Sequence, residues 1–230
     1  VPRAAKKTAR RASATGSGAR ANRGPLTRER VLTAAIAWAD AEGTDGLSMR
    51  VLAGELGCGV MSLYNHVANK DEMLEGMVDL VASEIALPAP QNRDWQGALR
   101  ETARSAHDTL MRHRWAAPMW SRYLPGPERL RHMDGILRTL REAGLSVDRA
   151  CRGFHAITTH ILGFTLQRLD FPVAQKDLAS AASDFLAGMP TEEFPWFAEH
   201  VQHHVDEPDQ GDSFSFVLDL ILEGLEPDVD

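Results

Sequence analysis

The sequence predicts an all-α protein, and three observations predict it. Apolar residues recur three and four apart in almost every segment from Thr27 to Leu225, the spacing of one helix face. No segment alternates apolar and polar residues over the length of a strand. The interruptions fall at Gly and Pro, which punctuate helices.

The elements follow in order. Residues 1–25 are rich in Ala, Gly, Ser and Arg and hold almost nothing to bury, so they are expected to be a disordered arm. Thr27, then Arg28, Glu29 and Arg30, have the character of an N-cap and first turn. Val31, Leu32, Ala35, Ile36 and Ala39 supply the apolar face of that helix up to Gly43. Ser48 is a natural N-cap for a short helix through Leu56, with Leu52, Ala53 and Leu56 as its stripe. Gly57 suits the left-handed position after a helix, and Gly57-Cys58-Gly59 leaves room only for a tight turn. A second short helix, Val60 to His66, follows. Asn69 caps a longer helix over 70–86, with Met73, Leu74, Met77, Val78, Val81 and Ile85 on one face, and Pro88-Ala89-Pro90 closes the unit. Beyond it, 94–113, 127–143, 147–169, 174–187, 192–204 and 212–226 all have helical periodicity. In Phe214–Leu225 eight of twelve residues are large and apolar, and Phe154–Leu166 is similar, with Gly163 suited to close helix approach. Helices apolar around most of their circumference are buried on two sides. The second side can face a partner subunit, which is favoured for the chain-terminal helix; a central core helix in a monomer is the alternative.

The 230 residues are 43 % hydrophobic and 25 % charged, an ordinary globular composition that can bury a core without disulfides or a structural metal. Cys58 and Cys151 lie far apart and form no CxxC pair, which argues against a disulfide scaffold and a zinc ribbon. No apolar run approaches the roughly 20 residues that span a bilayer, and no signal-peptide core opens the chain, so a cytoplasmic location without membrane contact is expected. The formal charge of −7 is unevenly spread. Residues 1–25 carry seven basic groups and no acid, whereas residues 26–87 carry four basic groups against ten acidic ones. An acidic body with a basic arm is the organisation to explain.

Two short helices joined by a glycine turn and braced by a longer one make a helix-turn-helix. Its second helix can lie in a DNA major groove about 12 Å wide while the first crosses the backbone. Here Leu63 and Val67 point inward, which leaves Val60, Met61, Ser62, Tyr64, Asn65 and His66 for DNA. Ser and His can bond phosphate oxygens, Tyr can meet a thymine methyl or a phosphate, Asn can read adenine, and Val60 and Met61 can make only apolar contacts. Arg50, in the first turn of the preceding helix behind its cap Ser48, can reach a base or phosphate. Lys70 sits where a helix N-terminus adds its own attraction for phosphate.

The residues themselves sharpen this. Gly46-Leu47-Ser48-Met49-Arg50, Leu52-Ala53, Leu56-Gly57 and Ser62-Leu63-Tyr64-Asn65-His66-Val67-Ala68-Asn69-Lys70 resemble the DNA-binding domain of the TetR family of bacterial repressors. The resemblance implies that Arg50, Ser62, Tyr64, His66 and Lys70 contact bases or phosphates. It implies that Val60, Met61 and Asn65 are variable reading positions, and that Leu47, Leu52, Leu56, Leu63 and Val67 form the core. It also implies an all-helical homodimer that meets a palindromic operator in successive major grooves. The similarity continues past Pro90 over about residues 26–226, toward the tetracycline-repressor branch. Asp94-Trp95-Gln96, His113-Arg114, Ala143-Gly144-Leu145-Ser146, Leu162-Gly163 and Phe214…Leu218…Gly224-Leu225 carry it. With the disordered basic arm over 1–25 read from composition, the branch implies a helix-turn-helix domain with its linker helix over 26–87 and an effector-binding and dimerisation domain over 88–230. It also implies a dimer interface made by the helices over 147–169 and 212–226.

The drug-binding positions depart from the branch. Where tetracycline repressors carry histidines and a glutamate, this chain has Ala86, Trp120 and Gln167, and a Thr-Arg pair becomes Tyr123-Leu124. Magnesium wants oxygen ligands in octahedral array, so tetracycline–magnesium is not the expected inducer, and no metal or cofactor is expected. The replacements suggest an apolar, aromatic pocket of Trp115, Trp120, Tyr123, Met133, Leu137, Leu140 and Leu162, with Thr102, His155 and Thr159 as polar anchors. Such walls suit a small organic ligand; plain core packing of the same stripe stays open. His200, His203 and His204, near Glu199 and Asp206, have a spacing that can hold a metal, but a solvated polar helix face is favoured. Both cysteines are read as buried structural thiols. No phosphate loop, GxSxG elbow or carboxylate pair is present, so an enzyme is not expected. The expected function is a ligand-responsive repressor. The alternatives are a helical sensor that has lost operator binding and an activator without a small-molecule inducer.

Overall fold

The computed structural model describes residues 24–89, 94–207 and 212–227. The arm expected over 1–25 lies almost wholly outside them. Among the described residues there are ten α-helices and no strand.

The first three helices are α1 (Arg28–Glu42), α2 (Met49–Leu56) and α3 (Val60–Tyr64), and α4 (Lys70–Ala82) packs back on α1. Their starts are set locally. Thr27 accepts from the Arg30 amide, Ser48 from Val51 and Asn69 from Glu72, each satisfying a donor that the first helical turn leaves free. Gly57 ends α2 with φ of 61°, in the left-handed region, and its amide returns to the end of that helix.

The remaining helices are α5 (Trp95–Arg112), α6 (Pro127–Glu142), α7 (Val147–Asp170), α8 (Leu178–Gly188), α9 (Pro195–Asp206) and α10 (Ser213–Glu223). The long α7 packs on α5, α6 and α10, while α8 and α9 pack chiefly on each other as a hairpin. One apolar core runs through the molecule, from Leu32, Met73 and Met77 between α1 and α4 to Leu99, Ile136, Ile157 and Leu218 among α5, α6, α7 and α10.

Some expectations change. The helix expected over 70–86 ends at Ala82, yet Ile85 remains buried because the chain turns without leaving the core. The helix expected through His66 ends at Tyr64. Among the described residues two 3₁₀ turns, Ala117–Met119 and Gln175–Asp177, accompany the α-helices, the second inside the helix expected over 174–187. Cys151 is exposed on α7 rather than buried, and Cys58 is half-buried in the turn. No helix among the described residues is long and apolar enough to cross a membrane.

Candidate DNA-reading face and inner cavity

The α3 helix is held from behind. Leu63 and Val67 are fully buried, whereas Met61 is 76 % exposed, Tyr64 45 % exposed, and Asn65 open to solvent. Ser62 and His66 are half-buried. Val60 is half-buried and packs against the core, so it offers less surface than its neighbour Met61. Arg50 is exposed on α2. The Ser48 hydroxyl already accepts from Val51 at 3.3 Å but keeps its own proton to donate. Lys70 Nζ donates to the Thr44 carbonyl at 3.1 Å. It therefore ties the α1–α2 loop to the start of α4 with one of its three N–H groups and retains two.

Behind this face, α1 and α4 are bonded to the C-terminal half at three places. The Asp79 carboxylate of α4 accepts the Glu128 and Arg129 amides at 3.2 and 3.0 Å, capping α6 from another helix. That approach needs Gly126, because a Cβ there would sit 2.5 Å from the Asp79 carboxyl carbon. At the end of α5 the buried His113 places Nδ1 2.9 Å from Asp40 of α1 and Nε2 3.3 Å from Glu84 just past α4. Trp115 Nε1 donates to the same Asp40 at 2.7 Å. Burial alone would raise the Glu84 pKa, but hydrogen bonds from Arg112 and His113 outweigh it and hold the carboxyl below its usual value. Third, the Ala86 amide donates to Ser105 Oγ at 2.8 Å.

A cavity of about 340 Å³ lies among α5, α6, α7 and the 117–125 stretch. Of the expected pocket residues it brings together Trp120, Tyr123, Met133, His155, Thr159 and Leu162. Thr102, Trp115, Leu137 and Leu140 lie outside its lining. Trp115 is turned to Asp40, Leu140 and Thr102 are buried in the helix packing, and Leu137 packs against the core. The cavity adds residues that sequence reasoning missed, chiefly Arg129, His132, Phe154 and Ile161. Arg129 is 3 % exposed; its guanidinium donates to the carbonyls of Trp120, Tyr123 and Leu124 and stacks over the Trp120 ring. Burial lowers its pKa against the opposing charges of Asp79 and Glu75. Of the positions that depart from the tetracycline branch, Gln167 faces a different, larger cleft and Leu124 is 82 % exposed.

That larger cleft, about 560 Å³, lies between the end of α7 and the α8–α9 hairpin. His200 and His204 line it, and the buried Nδ1 of His204 has no partner. His200 and His203 are exposed with Glu199 and Asp206, as expected of a solvated face, whereas His204 is half-buried. Among the described residues no group of three or more His, Cys, Asp or Glu is arranged to hold a metal.

A sequence family described as "Tetracyclin repressor-like, C-terminal domain" matches residues 87–229. The HTH-type transcriptional repressor DrrR1 of Streptomyces coeruleorubidus is 33 % identical, over 91 % of this chain and 82 % of that protein. This chain belongs to the TetR family of transcriptional regulators. The tetracycline repressor protein class D of Escherichia coli is 29 % identical to this regulator, over 87 % of its chain and 89 % of the repressor. Among solved structures, ActR of Streptomyces coelicolor in complex with actinorhodin superposes with a TM-score of 0.72 at 30 % identity, covering 88 % of this chain and 97 % of ActR. The TetR-family relatives are DNA-binding transcriptional regulators rather than enzymes.

Proposed function

We propose that this TetR-family regulator is a repressor that binds a palindromic operator as a homodimer and is released when a small organic molecule fills the α5–α7 cavity. In this reading residues 26–87 read DNA, with Met61, Ser62, Tyr64, Asn65 and His66 in the groove and Arg50, Ser48 and Lys70 at its edge. Val60 lends apolar support. Residues 88–230 sense the ligand and dimerise. The observation that carries the reading is the Asp79 cap on α6. It joins the helix behind the reading head to the helix whose Arg129, His132 and Met133 wall the cavity. A ligand that shifts α6 thereby shifts α4, and it acts only through its different affinity for the two states.

Two further observations support the dimer. α10 exposes Phe216 and Leu220 at 65 % and 56 %. Beside it α7 exposes Ala156, Thr159 and Gly163, and a Cβ added at Gly163 would meet nothing. An apolar helix face left open in one chain is the expected half of a helix bundle. ActR, whose structure holds actinorhodin, supports the assignment of an organic ligand to the cavity.

The test is retention of source-genome DNA fragments by the purified protein, followed by protection mapping. A protected palindrome with half-sites about one helical turn apart, weakened by Asn65→Ala and Met61→Ala, is the expected result. Uniform affinity for all fragments, unchanged in both variants, overturns the reading.

A further inference from the structure

Three buried polar atoms in the cavity walls have no hydrogen-bond partner, and one of them, Arg129 Nε, stands 3.8 Å from the Asp79 carboxylate. The Tyr123 hydroxyl and His132 Nδ1 are not hydrogen-bonded, and both residues line the cavity. His132 is only 4 % exposed, so bulk water does not reach most of it. Folded proteins pair nearly all such atoms, because an unpaired one carries the full cost of its desolvation. The Tyr123 hydroxyl and His132 Nδ1 are therefore groups open to a ligand.

The charge of the walls narrows what that ligand is. Arg129 is the cation in the lining, and its guanidinium is already bonded to three carbonyls, with Nε 3.8 Å from Asp79. Burial pulls the His132 pKa down to about 4, so its imidazole is neutral at pH 7. A carboxylate entering here would lose its water and meet a guanidinium whose charge already faces the Asp79 carboxylate. The rest of the wall is flat or apolar, with Trp120, Phe154, Met133 and Leu162, and suits the face of a ring system.

We propose that the effector is an uncharged aromatic molecule with a hydroxyl–carbonyl edge, and that the Tyr123 hydroxyl and the His132 imidazole hold that edge. Tyrosine O–H donates to the carbonyl, and Nδ1 of the neutral imidazole donates a hydrogen bond to the hydroxyl or accepts one from it, according to its tautomer. This rests on the α5–α7 cavity being the effector site, as proposed above.

Calorimetry on the full chain tests it with three matched naphthalenes. They are 1-hydroxy-2-acetonaphthone (uncharged edge), 1-hydroxy-2-naphthoate (the same ring with a carboxylate) and 2-ethylnaphthalene (no polar edge). The ketone should bind at least about tenfold more tightly than the naphthoate, since the buried charge meets a guanidinium already facing Asp79. Tyr123→Phe and His132→Phe should each weaken the ketone roughly threefold to tenfold, the worth of one hydrogen bond. Both variants should leave 2-ethylnaphthalene within about twofold, which a variant with a collapsed cavity would not do. Binding led by the naphthoate, equal binding of ketone and ethylnaphthalene, no binding of any probe, or a ketone affinity unmoved in both variants overturns the proposal. Operator retention by the ligand-free protein is measured on the same preparation. Its failure removes the repressor reading alone, because the probe affinities are obtained without DNA.

Discussion

Replacing Asp79 with alanine should destabilise this protein by about 3 kcal/mol, at the low end of what breaking a buried pair costs. The side chain is 14 % exposed and does two jobs. It caps the first turn of α6 through two amides, and loss of a helix cap costs roughly 0.5–2 kcal/mol. It also stands 3.8 Å from the guanidinium of Arg129. Stranding a buried charge costs roughly 3–5 kcal/mol. The three carbonyls that Arg129 keeps and the long separation reduce that share. The assay is urea unfolding followed by tryptophan fluorescence, at one protein concentration because a dimer's stability depends on it. The denaturant slope should stay constant while the midpoint falls. In an Arg129→Met background, Asp79→Ala should cost only the cap share, about 1 kcal/mol. Gly126→Ala should mimic the loss, since the new methyl would displace the Asp79 carboxylate. A loss below about 1 kcal/mol in the otherwise unaltered protein, or the same loss in both backgrounds, would refute the reasoning.

His132 makes stability acid-sensitive. Its folded pKa of about 4 lies below the ordinary 6.5, so its contribution is complete above 6.5 and is lost as pH falls toward 4. About 2 kcal/mol should be gone by pH 5, and chemical unfolding at pH 7 and pH 5 should find that difference abolished in His132→Phe. Deleting residues 1–25 should flatten the salt dependence of DNA binding while leaving operator preference in place, because seven basic groups and no acid leave with them; an equal salt slope in a filter or anisotropy titration assigns the arm no phosphate contact. Leu220→Glu, which puts a charge on the open face of α10, should convert the protein to monomers in analytical ultracentrifugation and weaken operator binding with it.

What was legible in the sequence was local. Thr27, Ser48, Asn69 and Ser146 each accept from an amide three residues on, so composition and position alone reveal the helix starts. Helix ends were less legible, because periodicity reports burial rather than hydrogen bonding. Ile85 keeps the apolar stripe of α4 going after its helix has stopped. The cavity was half legible for a related reason. A helix apolar on two sides does not say which side meets the cavity, so its pattern places Leu140 and Trp115 with Trp120 and Met133, whereas only the latter two line it. Arg129 and His132 look like solvated residues on α6. Arg129 is buried by a partner 50 positions earlier in the chain, a contact no local pattern carries.

The acidic surplus of residues 26–87 at first argues against DNA binding. The pairing of those acids removes much of that objection. Asp40 is bonded to His113 and Trp115, Glu84 to Arg112 and His113, and Asp79 to the start of α6. Glu72 is bonded to the Ala68 amide at the head of α4. Asp40, Asp79 and Glu84 all point into the C-terminal half, so their charge is met there by a cap, a histidine and an arginine. A domain that had to lie on phosphate for its own sake would gain by losing these acids. They persist where each one fastens α1 or α4 to an element beyond residue 94. On the proposed function, the same three carboxylates that make the reading domain look unsuited to DNA are the joints between cavity and reading head, and neutralising any one should weaken the coupling between ligand and operator more than the affinity for either alone.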